Sequence, residues 1–100
     1  MKSPEKPFEA LEYEIAAEKA ASLGRAAARL EEALAALRAF DEEPGAADAR
    51  EDLVAHAAER LWYYVVHREA LGWHRHEEAL ELLRVPAEIQ ARMGPRRPTS

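Results

Sequence analysis

The chain has 100 residues, a net charge of −5 and no cysteine. Its length allows one domain, and the missing thiols exclude a disulfide framework, a thiolate zinc site and a cysteine nucleophile. Acidic residues outnumber basic ones 10 to 6 over 1–45 and 8 to 5 over 46–84, so only 85–100 is basic, a poor balance for general nucleic-acid binding.

The N-terminal residues, Met1 to Phe8, are charged and carry prolines, unlike a signal peptide. The longest apolar run, Leu61 to Val66, is far short of the roughly 20 residues that span a bilayer. A soluble, cytoplasmic protein with no membrane partner is the expectation. A first helix is predicted from Pro7 to Phe40, because Phe8, Leu11, Ile15, Ser22, Ala26, Leu30, Leu34, Leu37 and Phe40 recur every three or four residues. Pro7 suits a first turn, and Glu9 and Glu12 suit the positive end of the helix dipole. Such a helix is roughly 50 Å long, more than a compact chain of this size needs. Its middle is lined with small residues, among them Ala20, Gly24 and Ala27, which would let a second helix approach closely.

Asp41 to Ala47 reads as a loop turning at Pro44-Gly45, and Asp48 with Glu51 reads as a capping box. The second helix is predicted from Ala49 to Leu71, with Gly72 as its stop. Leu53, Val54, Ala57, Leu61, Tyr64, Val65 and Leu71 form its stripe, and Trp62, Tyr63 and Val66 extend the apolar surface around most of the helix. A helix apolar on nearly all sides needs cover on nearly all sides, which one partner helix does not supply. A short third helix is expected over Arg75 to Leu83, with Leu80, Leu82 and Leu83 as its apolar contribution. A last turn is expected with Pro86 at its first position, Ile89 and Met93 facing inward and Gly94-Pro95 as the stop. Residues 1–6 and 95–100 are expected to fray.

These elements add up to a single all-α domain over 1–100: a long antiparallel helical hairpin plus two short C-terminal helices, which should fold back over the N-terminal half of the first helix. Two hairpins should form a four-helix-type homodimer through Ala20, Gly24, Ala27, Trp62, Tyr63 and Val66. An unidentified protein partner is allowed for as well. Across the hairpin, Glu18 and Arg68 fall within about a turn of each other and are expected to form a polar core pair.

Chemistry is sparse. His74, His76 and Glu77 are metal candidates, yet two histidines at i and i+2 point apart on a regular helix, and no Glu-x-x-His pattern of a carboxylate di-metal bundle is present. The stretch from Leu80 to Arg92 faintly echoes a helix-turn-helix, but Arg84 stands where the turn wants glycine, and only Gln90, Arg92, Arg96 and Arg97 could meet DNA. No nucleotide loop or nucleophile motif occurs, and the chain has only three Ser and one Thr. No catalytic residue, metal or cofactor is therefore expected. The expected function is a non-enzymatic homodimeric protein-interaction or regulatory module. The alternatives are a metal- or small-ligand-binding helical bundle and a weak DNA-binding accessory protein.

Three stretches carry a resemblance: Ala17-Glu-Lys-Ala-Ala-Ser-Leu-Gly-Arg25, Arg68-Glu-Ala-Leu-Gly72 and Val85-Pro-Ala-Glu-Ile-Gln-Ala-Arg-Met-Gly94. Together they resemble a family of short bacterial proteins classed as a domain of unknown function, over about Leu11 to Gly94. The resemblance implies a shared pattern at Glu18, Lys19, Gly24, Arg25, Arg68, Glu69 and Gly72. It implies no activity, cofactor or partner.

Overall fold

Ala and Leu dominate a stretch with no internal proline, and the backbone takes the helix that those propensities favour. In the computed structural model, which describes residues 7–95, α1 runs from Pro7–Glu42 and α2 from Ala47–Ala70. Two short helices follow, α3 at Glu77–Leu82 and α4 at Ala87–Ala91. No strand occurs among the described residues. The expectations for 1–6 and 96–100, including Arg96 and Arg97, lie outside those residues.

α1 and α2 form the antiparallel hairpin, and α4 packs on α2. The core is the seam between the long helices: Ala26, Leu30, Ala33, Leu34 and Leu37 from α1 against Val54, Ala57, Ala58, Leu61, Tyr64 and Val65 from α2. Val85 and Ile89 close it from the C-terminal segment, with Leu80 and Leu83 partly buried beside them. Among the described residues no charged side chain is buried. The radius of gyration is 17.2 Å and the long dimension 59 Å. A compact chain of this length would have a radius near 13 Å. The elongation is that of a rod with a short companion.

Several local expectations need correction. Asp48 is not the cap of α2. Ala46 holds the N-cap position with φ −67° and ψ 143°, no side chain caps it, and Asp48 sits in the first turn. The helix simply starts one residue-pair earlier, where an acid still complements the dipole. Pro86 is the N-cap of α4 rather than its first residue. Leu82 is 80% exposed and Met93 is exposed, so neither faces inward. The short helices do not fold over the N-terminal half of α1. They run back along α2 toward the hairpin turn.

Two left-handed residues explain that path. After α2, Gly72 has φ 87°, and the Gly72 and Trp73 amides donate to the carbonyls of Glu69 and Arg68 at 2.9 and 3.0 Å. This is a Schellman stop that reverses the chain, as the sequence expected of Gly72. After α3 the same pattern recurs on Arg84, φ 55°: the Arg84 and Val85 amides donate to Glu81 and Leu80, both at 3.0 Å. A non-glycine residue pays a steric penalty there. The turn still forms because it delivers Val85 and Ile89 to the core, and Ile89 is fully buried.

Leu30→Ala and Leu61→Ala, both at fully buried positions, should each cost about 2–5 kcal/mol in denaturant unfolding, whereas Leu82→Ala should change stability by less than about 0.5 kcal/mol. Arg84→Gly should stabilise by about 1 kcal/mol in the same measurement, through relief of its left-handed backbone.

Candidate functional site

Helical periodicity carries the core line of α1 backward from Ala26 through Ser22, Ile15 and Leu11 to Phe8. α2 does not follow it that far. α1 has 36 residues and α2 has 24, a mismatch of roughly 18 Å of helix. Over that length α1 has no helical neighbour among the described residues. Phe8 is 67% exposed, Leu11 54% and Ile15 47%. Every residue from Leu11 to Ala21 is exposed. The stripe was legible in the sequence, but its lack of cover was not.

The overhang meets the hairpin at an open groove of about 420 Å³, lined by Ser22, Arg25, Ala26 and Arg29 of α1 and by Arg60, Tyr63 and neighbouring residues of α2. Arg25 turns back along its own helix, donating to Glu18 and to Ser22 Oγ, both at 3.0 Å. Ser22 in turn donates to the Glu18 carboxylate at 3.4 Å. The Arg60 guanidinium lies 5.9 Å from the Tyr63 ring centre. Arg29 has no ion pair or hydrogen bond among the described residues. The overhang is thus apolar and acidic, while the groove at its foot is rich in arginine.

The expected Glu18–Arg68 pair does not form. Glu18 is satisfied by Arg25 and Ser22 on its own helix. Arg68 donates through Nε to His76 Nδ1 at 3.0 Å and through Nη2 to the Arg75 carbonyl at 2.8 Å. Its guanidinium also lies 5.4 Å from the Trp73 ring centre and 5.9 Å from that of Tyr64. The physical reason is local. The reversal at Gly72 brings residues 73–76 back onto the end of α2, and these partners are nearer than the other helix.

That reversal also answers the metal expectation. His76 Nδ1 accepts from Arg68, which leaves the ring proton on Nε2, facing Glu69 at 3.5 Å. His74 Nδ1 stands 4.0 Å from the same carboxylate. So the two histidines do converge, because they lie before α3 rather than within it, but onto Glu69 and not onto Glu77. Among the described residues no group of three metal-ligating side chains is arranged to hold an ion.

The other candidates are scattered. Ala20 and Gly24 are exposed and Ala27 is half-buried. A Cβ on Gly24 would meet nothing within 4 Å, so no helix of this chain uses the close approach. Trp62 is half-buried with its ring 5.1 Å from Tyr63, while Tyr63 and Val66 are exposed. By helical spacing, Ala20, Gly24 and Ala27 face away from the flank that carries Arg25 and Arg29, whereas Tyr63 lines the groove. Of the possible DNA contacts, Arg92 is engaged by Glu51 at 2.6 Å and the Gln90 amide donates to the Val85 carbonyl at 3.0 Å.

One ionic cluster had no sequence signal. Arg50, near the start of α2, donates to Asp41 at the end of α1 at 2.9 Å and to Glu88 on α4 at 2.8 Å. Separations of nine and 38 residues follow no helical period, so only the fold reveals the cluster. The hydrogen bonds from Arg50 hold the Asp41 and Glu88 carboxyls below their ordinary range, and Arg92 does the same for Glu51. This clamp ties three helices together at the end of the rod opposite the overhang.

A family described as a family of unknown function (DUF6665) matches residues 1–98. No curated protein and no solved structure matches the chain.

The clamp sets an acid limb. Carboxyls with depressed folded-state pKa values stabilise the fold above their unfolded values, 3.8 for Asp and 4.5 for Glu, and that stabilisation disappears as pH falls through the lower folded values. Thermal melts should therefore show stability dropping as pH descends below about 4.5. In Arg50→Ala the drop should be shallower, since Asp41 and Glu88 lose their partner.

Proposed function

The chain belongs to this family of unknown function, and we propose that it works as a non-enzymatic, homodimeric protein-interaction module whose working surface is the overhanging half of α1. The single observation behind this reading is the apolar line Phe8, Leu11 and Ile15, exposed on a well-formed helix with no helical neighbour there among the described residues. An isolated helical stretch as short as the overhang, about 12 residues, is marginal in water, and most helical stability comes from packing an apolar face. Exposed apolar stripes with polar borders are a signature of association surfaces. Here the borders are Glu9, Glu12, Glu14 and Lys19.

A second copy is the occupant that the dimensions favour. Two rods of equal shape, each with a hairpin half and a bare half, can cover each other's bare halves at once. A closed two-fold pair leaves no unsatisfied overhang and does not propagate into a filament. The interaction role, regulatory or scaffolding, would then be exercised by a dimer that presents Val66 of α2 and Trp73 to other proteins.

Sedimentation velocity at tens of micromolar should report a mass near twice the 11.2 kDa chain. The double substitution Leu11→Glu with Ile15→Glu should convert it to the single-chain mass without loss of the hairpin's cooperative thermal transition. A wild-type protein that sediments as one chain would overturn the dimeric reading.

A further inference from the structure

Resting on that dimeric reading, we infer that the two copies dock antiparallel, each inserting the acidic, apolar overhang of α1 into the arginine-lined groove of the other. The sequence of the exposed row on α1 makes the case. Leu11, Ile15, Glu18, Ser22, Arg25 and Arg29 follow one another at steps of four, three, four, three and four. That spacing reads the same in both directions. Laid against itself in reverse about Ala20, the row sets Leu11 across from Arg29, Ile15 across from Arg25 and Glu18 across from Ser22. Leu11 and Ile15 then each meet an arginine, whose methylene stem covers them while the guanidinium stays at the edge.

Charge follows the same reversal. Over 7–21 the helix carries Glu9, Glu12, Glu14 and Glu18 against the single cation Lys19. The groove beyond is lined by Arg25, Arg29 and Arg60, with Glu59 as the acid among them. A parallel pair would put acids against acids and arginines against arginines. An antiparallel pair puts the acidic half against the groove arginines twice, once at each end, which is the self-complementarity that a two-fold interface requires. Arg29, without a partner among the described residues, gains one from the facing Glu12 or Glu14. The guanidinium of Arg25 needs only to turn from its own Glu18.

The shape permits it. α2 ends at Ala70, so the part of α1 before Ala20 is free to lie along the partner's hairpin, making a three-helix cross-section at each end. Two contacts of about 18 Å along a helix roughly 10 Å wide bury about 700 Å² in total, a small interface in which matched charges carry much of the specificity.

Three variants and the wild type, compared by sedimentation equilibrium, test the seating. Arg25→Glu with Arg29→Glu should weaken the dimer by about tenfold or more, and so should Glu12→Lys with Glu14→Lys, since each leaves like charges facing one another. The chain carrying all four substitutions restores opposite charges across the interface and should associate within about threefold of the wild type. Dimers that ignore both paired reversals, or a fourfold variant no stronger than either pair, would overturn the antiparallel seating while leaving the dimer standing. A monomeric wild type would instead remove the reading on which the seating rests.

Discussion

An α-helix satisfies its own backbone wherever it runs, but its apolar stripe needs a neighbour at every turn. α1 finds that neighbour in α2 only over its second half. There Leu30, Leu34 and Leu37 are covered by Val54, Leu61 and Val65, and nothing charged enters the seam. Over the first half the same stripe continues with no helix against it. The unequal length of two antiparallel helices is therefore the constraint on which the shape, the core and the association surface all depend.

The C-terminal segment resolves a different shortage at the other end. Two helices make a seam with two open flanks, and a hairpin alone leaves both of them wet. Two Schellman turns, one on Gly72 and one on Arg84, send the chain back along α2 so that Val85 and Ile89 seal the core. Arg50 then holds the result by bonding Asp41 and Glu88 at once. These ion pairs are at the surface, where such contacts contribute modestly. Their value is positional: they join the hairpin turn to a helix of only five residues that could not stand alone.

The distribution of charge is uneven in a way that net charge conceals. Glutamates crowd the bare half of α1 and arginines crowd the groove at its foot. Among the described residues this pattern yields the Glu18–Arg25 pair. Read as half of a two-fold arrangement, it supplies a reason for the acids to precede the arginines along one exposed row.

The amino-acid sequence by itself determined the all-helical class, the two long helices to within a few residues, the stop at Gly72 and the inward direction of Ile89. Each of these follows from local periodicity or from a backbone preference carried by one residue. The membership of a family without known activity was legible in the same way, from three contiguous stretches. What the sequence left open depended on distances between segments far apart in the chain. Asp48 reads as a cap until Ala46 is seen to start the helix. Glu18 and Arg68 read as partners until each is found satisfied by residues four to eight positions away. Leu82 reads as core until a six-residue helix is seen to turn it outward. Only the tertiary structure decided these matters, and only it distinguished the covered half of the α1 stripe from the bare half. Periodicity specifies which face of a helix is apolar, whereas the length and position of its neighbour specify whether that face is buried.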